Sequence, residues 1–138
     1  MSEENKALIR RWFEEVWNKG RSEAIGEMLS EDALLHGLSD NEDKPLRGPA
    51  EFLPFHQTFR GAFPDINVVV EDTLAEGDMV VARCTVQGRH SGDHLGVAAT
   101  QAPVRFTGIG IGRIRDGKIV EAWNNFDFLT MNRQIGVK

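Results

Sequence analysis

The stretch VRFTGIGIGRIRDGKIVEAWNNFD, residues 104–127, decides how this chain reads. Two alternating runs flank Asp116-Gly117, a dipeptide that joins antiparallel strands in tight hairpins. The first run puts Gly108, Gly110 and Gly112 on one face. Glycine weakens a strand, so three in register predict close backbone packing, a bend or room for a ligand. In the second run Ile119, Glu121, Trp123, Asn125 and Asp127 alternate with Lys118, Val120, Ala122, Asn124 and Phe126. Side chains alternate across a strand, so the odd positions form a polar face around an indole. We read that face as pocket lining and Asp127 as the candidate proton-transfer residue. The competing reading is a solvent-facing strand end on which Asp127 caps the next turn.

Working outward, Ile66 to Leu74 is a strand, Glu76-Gly77-Asp78 a hairpin turn, and Met79 to His90 a long strand. Val80, Ala82, Cys84 and Val86 share one face of the long strand. Arg83 lies on the other and needs a partner or solvent. Residues 3–18 carry a helical pattern through Leu8, Trp12 and Val16. Asn18-Lys19-Gly20 stops it. Ser22 to Leu29 is a second short helix, and Asp32 to Leu38 a short strand holding His36 between apolar neighbours. Ser39 to Arg47 is a polar loop. Gly48-Pro49 opens a third helix to about Ala62, with Phe52, Phe55, Phe59 and Phe63 as its buried row. Trp12 at helical spacing belongs to the core. Trp17, at the helix end, and His56, beside the phenylalanine row, are candidates for a cavity wall. Phe128 to Lys138 is a short tail that can cover an opening. The order predicts an α+β fold, with helices packed on one face of a curved antiparallel sheet.

Composition limits the function classes. At 138 residues, 41% hydrophobic and 27% charged, the chain fits one domain spanning 1–138 with a packed core. A net charge of −5 argues against a nucleic-acid backbone binder. The single cysteine, Cys84, forbids an intrachain disulfide and reads as a small buried hydrophobe. No membrane-spanning run or signal-peptide core is recognisable, so the expectation is a cytoplasmic protein away from membranes. Phosphate-loop, dinucleotide, nucleophile-elbow and zinc-protease motifs are absent. Of the four histidines only His90 and His94 are closely spaced, without a third ligand, so no metal is expected.

Residues 61–96, GAFPDINVVVEDTLAEGDMVVARCTVQGRHSGDHLG, resemble the SnoaL-like polyketide cyclase family. So do FTGIGIGRIRDGKIVEAWNNFD at 106–127 and the closing Gln134-Ile135-Gly136. The resemblance covers nearly the whole chain and implies a nuclear transport factor 2-like cone. About three N-terminal helices would pack on the concave face of its antiparallel sheet. It further implies a homodimer, a deep apolar pocket for a hydrophobic small molecule, and no cofactor. An acidic residue on the last strand handles the proton in the family's aldol closure, and by motif position it maps onto Asp127. His36 and His90 match positions where the family often carries histidine. The loop VAATQAPVRF, where relatives often have Pro-Thr-Gly, departs from the pattern and bears on substrate choice.

Together these readings predict a cofactor-free cyclase or isomerase acting on a hydrophobic carbonyl compound. Asp127 and His36 are its candidate catalytic residues. Trp123, Asn125, His56, His90 and Trp17 are its candidate substrate contacts. An ordinary Asp, with a pKa of about 3.9, is a weak base at neutral pH, so burial near Trp123 is expected to raise it. Two rivals are an epoxide hydrolase resembling limonene epoxide hydrolase, served by Arg83 or Arg105, and a non-catalytic small-molecule-binding dimer.

Overall fold

Among the described residues, six strands form a single sheet. The computed structural model describes residues 2–39 and 44–136. The chain enters through α1, Ser2–Arg11, which continues as a π-helical segment, Trp12–Asn18. Then follow α2, Glu23–Met28, β1, Leu29–His36, the two-residue β2, Leu46–Arg47, and α3, Gly48–Ala62. Four long strands complete the sheet: β3, Asn67–Glu76, β4, Met79–Arg89, β5, Pro103–Arg115, and β6, Lys118–Phe126. A last helix α4, Phe128–Gln134, occupies most of the expected tail. Residues 40–43 of the expected polar loop lie outside the described residues.

The α+β cone is as expected, with one difference in the sheet. The strand order is β2-β1-β6-β5-β4-β3, and β1 runs parallel to β6, with His36 opposite Trp123, so the sheet is mixed. Hairpin signals report only strands that are neighbours in sequence. They carry no information about where an early strand docks.

The inner face of the sheet is built in rows of facing residues. Val80–Gly112–Ala122 and Cys84–Gly108–Phe126 flank the central row Ala82–Gly110–Asn124. Val80, Ala82, Cys84 and Val86 are buried, as the alternation in β4 requires. Against them pack Ile9, Trp12, Phe13 and Val16 from the first helix and Phe52 from α3. Burying a side chain such as Phe52 contributes about 1.5–3 kcal/mol. Burial pushes the Cys84 thiol up to about 12, consistent with an inert core residue.

The π-helical turn leaves carbonyls for other elements to satisfy. His56 Nε2 donates to Val16 O at 2.7 Å and Arg60 Nη1 to Trp17 O at 3.1 Å. Asn18 clasps Val68 of β3, accepting its N–H at 2.6 Å and donating to its carbonyl at 3.0 Å. These bonds fix the helical layer over the sheet and leave a gap between them.

Candidate active site

That gap is an apolar cavity of about 850 Å³, its open mouth included. Trp12, Phe13 and Trp17 come from the first helix, Phe52, Phe55 and Phe59 from α3. Leu35 and Leu38 close one side, and the segment 110–112 with Ala122, Asn124 and Phe126 forms the floor. Phe55, Phe59, Phe128 and Phe126 make a linked, half-buried aromatic rim, with successive ring centroids 4.7, 5.5 and 6.4 Å apart. No Asp, Glu, His, Lys or Arg contributes to the lining among the described residues. The side chains in the lining that carry a polar atom are those of Trp12, Trp17 and Asn124.

The orientation of Asn124 is fixed by its surroundings. Its Nδ2 donates to the His36 carbonyl at 3.0 Å, which leaves Oδ1 as the acceptor. Gly37 follows with φ +85°, and a Cβ there would meet the Asn124 carbonyl oxygen at 1.9 Å. Only glycine allows this approach of β1 to β6.

The expected lining on Glu121, Trp123 and Asn125 is corrected by a β-bulge. Ile114 faces Ile119, but Arg113 faces Glu121, so Val120 is an extra residue in β6. Beyond it the faces exchange. Ile119 points inward together with Ala122, Asn124 and Phe126, whereas Glu121, Trp123 and Asn125 point outward.

Asp127 likewise does not face the cavity. It is exposed and caps α4, accepting from Thr130 N at 3.0 Å and Thr130 Oγ1 at 2.6 Å. The Thr130 bonds hold its carboxyl below the usual carboxylate range, opposite to the expected rise. The capping alternative describes its geometry.

His36 sits on the outer face. Its Nε2 lies 2.7 Å from Glu121 Oε2, and its ring stacks on Trp123. Glu121 Oε1 also accepts from Arg113 Nη1 at 3.3 Å, and the Arg113 guanidinium lies 5.5 Å from the Trp123 ring centre. His56 is buried behind the wall, tied to Val16, and burial pushes its imidazole below the ordinary range. His90 is fully buried and holds the loop after β4: its Nδ1 accepts from Thr100 N at 3.2 Å. Of the seven candidates, the structure puts only Trp17 in the lining. Asn124 is the residue missed. Its signal was a lone polar side chain on an otherwise apolar face.

Among the described residues no cluster of three or more His, Cys, Asp or Glu is placed to hold a metal ion. Arg83 pairs with Asp72 at 2.9 Å on the outer face, and the main chain of Arg105 pairs with Gln134. Neither arginine lines the cavity, so the arrangement expected for an epoxide hydrolase is not assembled there.

Residues 7–135 match the family profile described as SnoaL-like polyketide cyclase. The chain is 33% identical over 132 residues to aklanonic acid methyl ester cyclase DauD of Streptomyces sp. strain C5, covering 94% of this chain and 80% of that one. It is equally identical to the cyclase of the same description, DnrD of Streptomyces peucetius, covering 94% and 88%. Its fold superimposes on IdmH from Streptomyces antibioticus with a TM-score of 0.83 at 33% identity, covering 96% of this chain and 99% of that one. Profile, relatives and fold agree over nearly the whole sequence, and the chain belongs to the SnoaL-like polyketide cyclase family.

Proposed function

We propose that this chain closes a ring within a neutral, largely apolar carbonyl compound by an intramolecular aldol addition, without a cofactor. The observation that carries the reading is the apolar, open-mouthed cavity with one oriented amide on its floor. A carbon between two carbonyls enolises in water without a strong base. The enol O–H then donates to Asn124 Oδ1, which leaves its carbon electron-rich. That carbon bonds to a second carbonyl carbon of the same molecule. The new oxygen takes up the enol proton, so the product is an isomer of the substrate. The protein's part is to fold a flexible chain into a reactive shape, an effect worth roughly 7–11 kcal/mol when alignment is ideal.

The lining also selects charge. With no cationic side chain, a carboxylate would lose its water without gaining a partner. A neutral ester fits where the free acid does not, in keeping with the ester in the names of the two Streptomyces relatives.

The homodimer belongs to the same proposal. A row of outward residues, Leu74, Val81, Ile111, Trp123 and His36, crosses the sheet. Leu74 is 70% exposed, and Ile109 in the next row is 46% exposed. A partly exposed, largely apolar row bordered by the Arg83–Asp72 and Arg113–Glu121 pairs suits a second copy of the chain.

The test is incubation with aklanonic acid methyl ester, followed by chromatography and mass spectrometry. A ring-closed product of unchanged mass is expected. A second reading, non-catalytic binding, is favoured by the lack of any ionisable group in the lining. It returns the ester unaltered from a measured complex, and that result would overturn the cyclase assignment.

A further inference from the structure

The three glycines on the inner face of β5 are not equivalent. A Cβ at Gly108 would lie 2.2 Å from the Phe126 ring, and one at Gly112 would lie 2.9 Å from Ile9 Cδ1. Packing excludes a side chain at Gly108 and crowds one at Gly112. At Gly110 the nearest atoms are Asn124 Oδ1 at 3.7 Å, Phe13 Cζ at 3.9 Å and Trp123 O at 4.0 Å. These are ordinary van der Waals distances, so alanine fits there. Gly110 is not recorded at positive φ, and its neighbours across the sheet are Ala82 and Asn124. A mid-strand glycine gives up both strand preference and packing. Nothing in the fold requires that loss at Gly110, yet Gly110 and Asn124 both line the cavity.

We propose that Gly110 is a specificity-determining residue. Its missing side chain keeps a methyl-sized niche open beside Asn124 Oδ1, and through it a ligand hydroxyl reaches the amide. This deepens the reading above and rests on it only in taking the cavity as the ligand site. Because Oδ1 is the Asn124 atom that borders the niche and Nδ2 is turned to the His36 carbonyl, the niche favours ligands that donate a hydrogen bond over those that only accept one. Phenols and enols are the favoured class. Their ethers, which have no O–H, are disfavoured and also overfill the niche.

The experiment compares binding of 2-naphthol and 2-methoxynaphthalene, followed by quenching of tryptophan fluorescence, in the wild type and in Gly110→Ala. The wild type is expected to prefer 2-naphthol by about fivefold, the size of one neutral hydrogen bond. In Gly110→Ala the preference should vanish, with 2-methoxynaphthalene affinity within about twofold of wild type or weaker and the melting temperature unchanged or raised. An equal preference in both proteins overturns the proposal, as does a wild type without any preference. A Gly110→Ala protein that fails to fold also overturns it, since the argument requires alanine to fit. The outcome does not depend on turnover. A chain that binds these probes as expected but leaves the ester unconverted would retain this assignment and lose the cyclase one.

Discussion

Asn124 Nδ2 donates to the main-chain carbonyl of His36 across the parallel β1–β6 pair at 3.0 Å. One bond ties the two strands at the cavity floor and decides which end of the amide the cavity sees. The position therefore has a structural part and a ligand-binding part, which substitution can separate.

Asn124→Leu keeps the size but leaves the His36 carbonyl unpaired. A loss of about 1–3 kcal/mol in denaturant unfolding is expected. Asn124→Ser shortens the side chain and leaves the fold nearer wild type. Both variants should lose selectivity for hydroxylated probes, measured by the same fluorescence titration.

Asp127→Ala should lower the melting temperature by fraying α4, because Asp127 satisfies the Thr130 N–H at the helix start. Turnover at a temperature where the variant is folded should stay near wild type. The acid limb follows from the same contact. Its pKa is lowered in the fold, so the stabilisation is complete above the unfolded value of 3.8 and is lost as pH falls through the folded value. Helix-specific hydrogen exchange measured below about pH 4 checks this.

His56 gives a pH effect of different origin. Burial lowers its pKa in the fold from 6.5, so the unfolded chain binds a proton first as pH falls. Stability should be complete above about pH 6.5 and should decline as the solution is acidified below it. His56→Gln retains a donor for Val16 and should flatten the dependence of melting temperature on pH between about 7.5 and 5.5. An unchanged slope would assign the effect to other groups.

Gly108→Ala provides the contrast with Gly110→Ala. Its new methyl meets the Phe126 ring, and overpacking of this kind costs about 1–3 kcal/mol. Chemical denaturation of the two variants side by side should show opposite signs or at least a clear gap.

Trp123→Glu tests the dimer. The substitution puts a carboxylate beside Glu121 in the middle of the outward apolar row. Light scattering should give about twice 15.4 kDa for the wild type and a mass near 15.4 kDa for the variant. A wild type that is monomeric at micromolar concentration would remove the homodimer from the proposal.

The sequence alone settled what rests on local periodicity. The helical spacing of the phenylalanines in α3, the buried face of β4 and the hairpins at Gly77 and Gly117 follow from spacings of three to four, spacings of two, and turn residues, although Phe55 and Phe59, expected to be buried, stand half-buried at the cavity rim. It also marked the glycines of β5 and placed Trp17 at a cavity wall. Alternation cannot show where it is interrupted. One extra residue at Val120 exchanged the faces of β6, sending Trp123 and Asn125 outward and bringing Asn124 in. A bulge is set by pairing with the neighbouring strand, and the docking of β1 beside β6 is set by the closing of the whole sheet. Both join residues far apart in the chain, so only the tertiary structure decided which polar group the cavity presents.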